Sequence, residues 1–455
     1  MKKRNIMAII CSMAMAAGVL SGCGNSSASA DVSTAAKTGE TSFSQETADA
    51  AASQSGTAET AQADETSAEE VSGTLSYWTY TDNANQLVDA FKEKYPNVNI
   101  DLQVFGGDEY KTKILTTLQS GENIPDLFDL EEGYMYEFLD SDLIADLSYV
   151  NIEELTKNYY PYQIAAMKDS KGAYKTLTFE SNPVCFWYLR DACEKWLGTS
   201  DPDEISAMIT SWDDLLALQK KVYEASGGKV YVFGNVAEMV KVSAFNFDPL
   251  VQDGKLVIGD QWKGLLQSMR AFYESGYDPE LGSWGSDWAT AWNDGTLLLR
   301  AMPSWDFFTD WDKNSGNVGL AIPFSTSFEG CTGVCVYNDS PNKDLAGTFI
   351  RYIASDEFQK INMDKNNQVP ASKTCVESMA KGYSNPKFGG QNLIETYGKI
   401  LDGIKDITPD KYTRAAQNKF QSSVSDGLKS GLSDDEIIAD FKSDMKDAYP
   451  ELEID

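Results

Sequence analysis

Histidine, the side chain that does most acid–base work near neutral pH, is absent from the 455-residue chain. Its absence removes Ser-His-Asp triads, Cys-His dyads, HExxH zinc sites and facial-triad iron sites together. Catalysis would have to use paired carboxylates, as in glycoside cleavage, or lysine and tyrosine bases. Glu131 or Glu132 opposite Glu238 is such a pair, at a separation that sequence does not fix. Trp284, Trp288 and Trp292 recur every four residues and would share one helical face, a spacing that normally builds core but could also offer a ligand platform. Asp310, Asp312 and Asn314 sit at positions one, three and five of a calcium loop. Ser315 replaces the glycine at six and Ala321 the glutamate at twelve, so the segment reads as a polar loop, and neither a metal nor a cofactor is expected. Of seven cysteines, Cys185, Cys193, Cys331, Cys335 and Cys375 lie in the body of the chain. An odd number cannot all pair and a large core needs no staples, so buried free thiols are expected, although Cys331 and Cys335 could approach each other.

The elements that would position these residues begin late in the chain. Lys2, Lys3 and Arg4, followed by the apolar run Ile6 to Leu20, read as a signal peptide over 1–22. It ends in Leu20-Ser21-Gly22-Cys23, similar to the bacterial lipobox, in which the cysteine thiol receives diacylglycerol. At roughly 0.8 kcal/mol per buried methylene, two or three acyl chains would hold the mature chain at a membrane. Residues 23–73 read as a tether: beyond Cys23 only Val32, Phe43 and Val71 are larger apolar residues, too few for a core. As a coil this stretch spans about 40 Å root-mean-square. A net charge of −31 with no basic block argues against nucleic acid and against acidic lipid surfaces, leaving the lipid anchor as the only expected membrane contact.

From Thr74 the pattern alternates between strand and helix. Leu75 and Tyr77 flank Ser76 ahead of Trp78 as a strand. Thr81, Asp82 and Asn83 offer caps for a helix that carries Ala84, Leu87, Val88, Phe91 and Tyr95 on one face and stops at Pro96. Val98, Ile100, Leu102 and Val104 alternate as a second strand, Tyr110 to Leu118 form a second amphipathic helix, and Asp126 to Leu130 a third strand. This series predicts an α/β fold with a parallel sheet under helices, binding ligands at the carboxyl ends of its strands. Those ends are Trp78 to Asp82, which includes Tyr80, then Phe105 to Asp108, and Asp129 to Tyr134.

Several segments carry a resemblance. Thr74 to Leu147 combines the strand with Trp78, the helix ending Lys94-Tyr95-Pro96, the Ile124-Pro125-Asp126 entry and the acidic loop that follows. Thr210-Ser211-Trp212-Asp213-Asp214-Leu215 looks like a helix-opening element. Trp292-Asn293-Asp294-Gly295-Thr296 runs on to Ala301-Met302-Pro303-Ser304-Trp305, and Ser340-Pro341-Asn342-Lys343-Asp344-Leu345-Ala346 follows a short strand. In this order they resemble bacterial extracellular solute-binding proteins of family 1, the maltose-binding type that serves ABC importers. The resemblance implies a two-lobed fold of the type II periplasmic-binding-protein kind, with hinge crossings near Glu180 to Pro183, Cys331 to Cys335 and Val369 to Ala371. One lobe would hold 74–180 and 334–370, the other 183–330 and 372–455.

The resemblance also nominates ligand contacts. Sugars present hydroxyl edges and weakly apolar faces, so their sites combine carboxylates and amides with aromatic plates. Asp82 matches a hydroxyl ligand of the family, and Glu131 and Glu132 lie where another acid sits. Trp305 matches a stacking tryptophan, while Asn182 and Glu238 match a hinge position and a second-lobe loop; Tyr80, Trp284 and Trp288 complete the set. On the residues alone, Asp82 reads equally as a helix cap, Glu131 and Glu132 as a solvated loop, and Trp305 as core. A C-terminal stacking tryptophan has no counterpart around Gln417 to Phe420, which argues against maltose itself. The expected partners are therefore a carbohydrate, permease subunits and, through them, an ATPase, with the chain acting as a non-enzymatic monomer on the outer face of the cytoplasmic membrane. A binding lipoprotein that serves no transporter and a carboxylate-pair glycosidase are the alternatives.

Overall fold

The computed structural model describes residues 67–81, 83–305 and 314–455. The signal peptide, Cys23, most of the tether, Asp82, and Asp310 and Asp312 of the polar loop lie outside these residues. By its contacts the chain divides after Ala63, and residues 64–455 form one compact unit.

Alternation writes the first strand. In β1 (Gly73–Thr79) Leu75, Tyr77 and Thr79 are buried, with Ser76 and Trp78 half-buried between them. Helix α1 (Ala84–Lys94) packs Leu87, Val88 and Phe91 inward and carries Lys92 and Lys94 in its last turn, where the helix dipole favours cations. It stops where the Tyr95 N–H meets the Phe91 carbonyl at 2.9 Å, one residue before Pro96. β2 (Val98–Val104) pairs with β1 in parallel. Helix α2 (Gly107–Ser120) runs longer than its apolar stripe and closes on Gly121 at φ +70. β3 (Leu127–Glu131), one residue later than alternation suggests, is parallel on the other side of β1. The short helix α3 (Glu132–Met135) follows directly.

The chain then passes through β4 (Glu180–Ser181) into β5 (Val184–Leu189), whose six residues are all buried. An unbroken apolar run is what a strand covered on both faces requires. β6 (Val251–Gln252) and β7 (Lys255–Leu256) form a small antiparallel pair, whereas β8 (Leu299–Pro303) and β9 (Val318–Ala321) flank β5 antiparallel. β10 (Thr332–Val336) returns to the first sheet antiparallel to β3, so the sheet order is β10-β3-β1-β2 and not purely parallel. β11 (Val369–Pro370) pairs with β4. Ser211 opens the helix Trp212–Ala225, its hydroxyl accepting the Asp214 N–H at 3.1 Å.

The cores separate along the same line. Leu75, Phe91, Leu127, Val334 and Phe349 share one, adjoined by Tyr110, Phe128, Leu130 and Cys335. Phe186, Trp187, Trp262, Met302 and Phe420 belong to another. Residues 64–455 are thus a two-lobed α/β body, in which β4 and β11 pair. Cys185, Cys193, Cys331, Cys335 and Cys375 are all buried free thiols. Among the described residues no helix is long and apolar enough to cross a membrane.

Candidate functional site

A cavity of about 410 Å³ opens at the carboxyl ends of β1 and β3, beside the β4–β11 pair. Successive side chains of a strand point to opposite faces, so Asp129 and Glu131 of β3 share the cavity side. Asp129 is tied down by hydroxyl donors: Tyr77 at 2.8 Å on one oxygen and Thr79 on the other, while the Tyr110 hydroxyl donates to its carbonyl at 2.6 Å. It is 1% exposed, and burial pushes its carboxyl up to about 7 against the pull of those hydrogen bonds. Burial, then the charge of Asp129, likewise push Glu180 up to about 7, with Asn182 opposing. Glu131 is raised by burial, opposed by the Gly133 N–H and Arg414. Tyr80 reaches across the strands to share a 2.7 Å hydrogen bond with the Thr332 hydroxyl.

Asn182 donates from Nδ2 to the Gly330 carbonyl at 2.6 Å, which leaves its buried Oδ1 without a partner; Gln368 Oε1 is in the same position. Trp305 and Gly330 close the other wall. The Trp305 indole donates to the Glu329 carbonyl at 2.9 Å, and its ring lies parallel to Trp284, with centroids 5.4 Å apart and planes 2° from coplanar. Lys241 lies over Trp284 at 5.4 Å from its centroid.

Of the sequence-nominated residues, Tyr80, Glu131, Asn182 and Trp305 therefore line one cavity. Thr81 and Asn83, the neighbours of Asp82, line it as well. Trp284 does not share a helical face with Trp288 and Trp292: the helix Ser286–Asn293 begins only after Gly285, and Trp284 sits at φ +69 in the preceding turn, 49% exposed. That turn frees it to stack on Trp305. Trp288 and Glu238 lie in the core instead. Trp288 donates to the Glu238 carboxylate at 2.9 Å, and the Ser283 hydroxyl and Ala301 N–H also donate to it, so a buried acid braces four segments. Glu238 lies in the helix Ala237–Ser243 and not in a loop. Glu132, at the start of α3, turns from the cavity to accept from the Gly330 N–H at 3.1 Å and from Arg414 at 2.7 Å. The pair of Glu131 or Glu132 with Glu238 is thus not assembled around the cavity. Sequence reasoning missed Asp129, Glu180, Thr332 and Gln368, although two carried a signal: Asp129 is two residues from Glu131, and Glu180 two from Asn182.

Residues 86–389 match the family model described as bacterial extracellular solute-binding protein. The chain is 23% identical over 407 residues to the arabinooligosaccharide-binding protein of Halalkalibacterium halodurans, covering 80% of this chain and 87% of that one. A crystal structure of an extracellular solute-binding protein of family 1 aligns with a TM-score of 0.71 at 18% identity, covering 83% of this chain and 99% of the other. The galacto-N-biose-/lacto-N-biose I-binding protein of Bifidobacterium longum, solved with lacto-N-biose, aligns at 0.67 with 16% identity, covering 84% and 99%. At such identities the structural likenesses speak for the fold, and the fold is the two-lobed one described above. The family match, over most of the folded chain and spanning both cores, shows that the protein belongs to the bacterial extracellular solute-binding proteins.

Proposed function

We propose that this chain is the receptor of an ABC importer, capturing a carbohydrate, in the first instance an oligosaccharide, and presenting it to membrane permease subunits. The observation that carries this reading is the composition of the cavity: carboxylates and amides suited to hydroxyl edges stand beside the Trp305 plate, backed by Trp284 and suited to the apolar face of a sugar ring. Relatives named for arabinooligosaccharide and lacto-N-biose binding support it. Tyr80, Asp82, Glu131, Asn182 and Trp305 are the proposed contacts, joined by Asp129 and Glu180, with Trp284 backing Trp305. In this reading the lobes are 74–180 with 334–370 and 183–330 with 372–455. Ligand held by both lobes makes the closed form the lower state, and the permease reads that shape. Cys23 carries the lipid anchor, and 23–73 is the tether. No covalent step or cofactor is involved, so sugar is recovered unchanged.

Deletion of the gene tests the transport role. Uptake of labelled arabino-oligosaccharides and lacto-N-biose by the native host should fall and return on complementation. Sugar binding by the purified protein together with unimpaired uptake of every bound sugar would leave a binding lipoprotein and remove the importer.

A further inference from the structure

We propose that the cavity accepts only hydrogen-bond-donating sugars, neutral or amine-bearing, and excludes uronic acids and other anionic sugars. The inference rests on the carbohydrate reading and narrows its substrate class. Its basis is an imbalance of charge, with unpartnered acceptors beside it. Asp129, Glu131 and Glu180 all line the cavity, with no lysine or arginine beside them among the described lining residues.

The side-chain amides add acceptors. Asn182 is 3% exposed; one of its amide hydrogens bonds the Gly330 carbonyl, and its Oδ1 is an oxygen that no donor reaches. Gln368, 6% exposed, also has an oxygen without a donor. Leaving a buried acceptor unpaired is costly, so both favour a ligand that brings donors. Of the hydroxyls beside them, Tyr77 and Thr79 donate to Asp129, and one of the Tyr80 and Thr332 hydroxyls donates to the other.

Among the described residues three cations stand nearby and none lines the cavity: Lys111, which acts on Glu131, lies over the Tyr134 ring at 5.3 Å. Arg414 is held by Glu132 at 2.7 Å, and Lys241 lies 3.4 Å from Glu329 while covering Trp284. A ligand carboxylate would enter a site of like charge with no guanidinium to receive it. A hydroxyl or an ammonium would satisfy the orphaned oxygens and, for the ammonium, the charge as well. Burial pushes the Asp129 and Glu180 carboxyls up to about 7, so the site is fully anionic, and its exclusion of acids strongest, above that pH.

The test is a thermal-shift and calorimetric panel of matched sugars on the purified protein. It includes galactobiose with digalacturonate and the dimethyl ester of that acid, xylobiose with its aldobiouronate, cellobiose with diglucosamine, and arabinobiose. Expected is binding of one or more neutral or amine-bearing members. The acid of a bound skeleton should bind roughly a hundredfold more weakly or worse, with its methyl ester restoring affinity, since like-charge juxtaposition costs several kcal/mol. Glu131→Gln, at a half-exposed position, should narrow the gap between acid and ester. An acid that binds within threefold of its neutral twin, or a panel in which only acids bind, overturns the inference while leaving the carbohydrate reading intact. No shift with any member removes the carbohydrate reading, and this inference with it.

Discussion

Replacing Arg414 with methionine should destabilise the fold by about 3 kcal/mol, at the lower end of the roughly 3–5 kcal/mol that loss of one partner of a buried ion pair costs. Arg414 belongs to the helix Thr413–Lys429, whose Phe420 packs in the second core, and it reaches Glu132 beside the first sheet at 2.7 Å. The Glu132 side chain is 1% exposed and that of Arg414 16%, so the carboxylate is the partner that water cannot rescue. Methionine keeps the aliphatic bulk beside Phe245, over which the guanidinium now lies at 5.1 Å. Glu132 would retain only the Gly330 N–H, and its Oε1 has no partner even now. Glu132→Gln should cost less, about 1–2 kcal/mol, because the amide oxygen can still accept from Gly330 and the freed guanidinium is nearer solvent. The double variant should sit within about 2 kcal/mol of the parent, a coupling of at least about 2 kcal/mol. Urea unfolding, followed by tryptophan fluorescence and circular dichroism with coincident transitions, measures all three. A cost below about 1 kcal/mol for Arg414→Met, or strictly additive effects, would refute the reasoning that a buried pair couples the two cores.

Other outcomes follow from the same geometry. Trp305→Ala should raise the Kd for a bound sugar by roughly 30-fold, about 2 kcal/mol, and Trp284→Ala by less, because Trp284 reaches the cavity only through Trp305; equal or negligible effects in calorimetry would contradict the stacking order. Asp129 and Glu180 keep their protons in the folded chain up to about 7, whereas unfolded they release them near 4. The native state therefore binds more protons between those values, and their contribution to stability is lost as pH rises through that window. Asp129→Asn should flatten this fall in melting temperature, and parallel curves for parent and variant would oppose it. In the 64–455 unit, a thiol reagent should find five cysteines on denaturation and none in the native state; three on denaturation without reductant would indicate a disulfide.

What was legible in the sequence is what local pattern controls. The Leu87, Val88 and Phe91 stripe specifies α1, and the alternation of Leu75 and Tyr77 specifies β1, because each reports a face turned to a core. The site is different, since its residues come from β1, β3, β4, the turn after β8 and the approach to β11. Glu238 shows the limit: its donors, Trp288 and Ala301, lie 50 and 63 residues away, so nothing local marks it as an interior brace. Glu131 and Glu132 were equivalent on paper, yet β3 ends at one and α3 begins at the other, and that change of direction sends one to the cavity and the other to Arg414. The tryptophan spacing misled because Gly285 caps the helix after Trp284 and not before it. β10 was out of reach for a related reason: it pairs with β3 from about two hundred residues away, with Thr332 opposite Glu131.

The most direct test of the central claim is melting the purified protein against mono- and oligosaccharides, with polyols and amino acids as controls. A ligand that binds only the native state raises the melting temperature by mass action. The account predicts a shift selective for one class of sugar and lost in Trp305→Ala. No shift with any carbohydrate, on protein shown to be folded and ligand-free, would contradict the sugar-binding assignment.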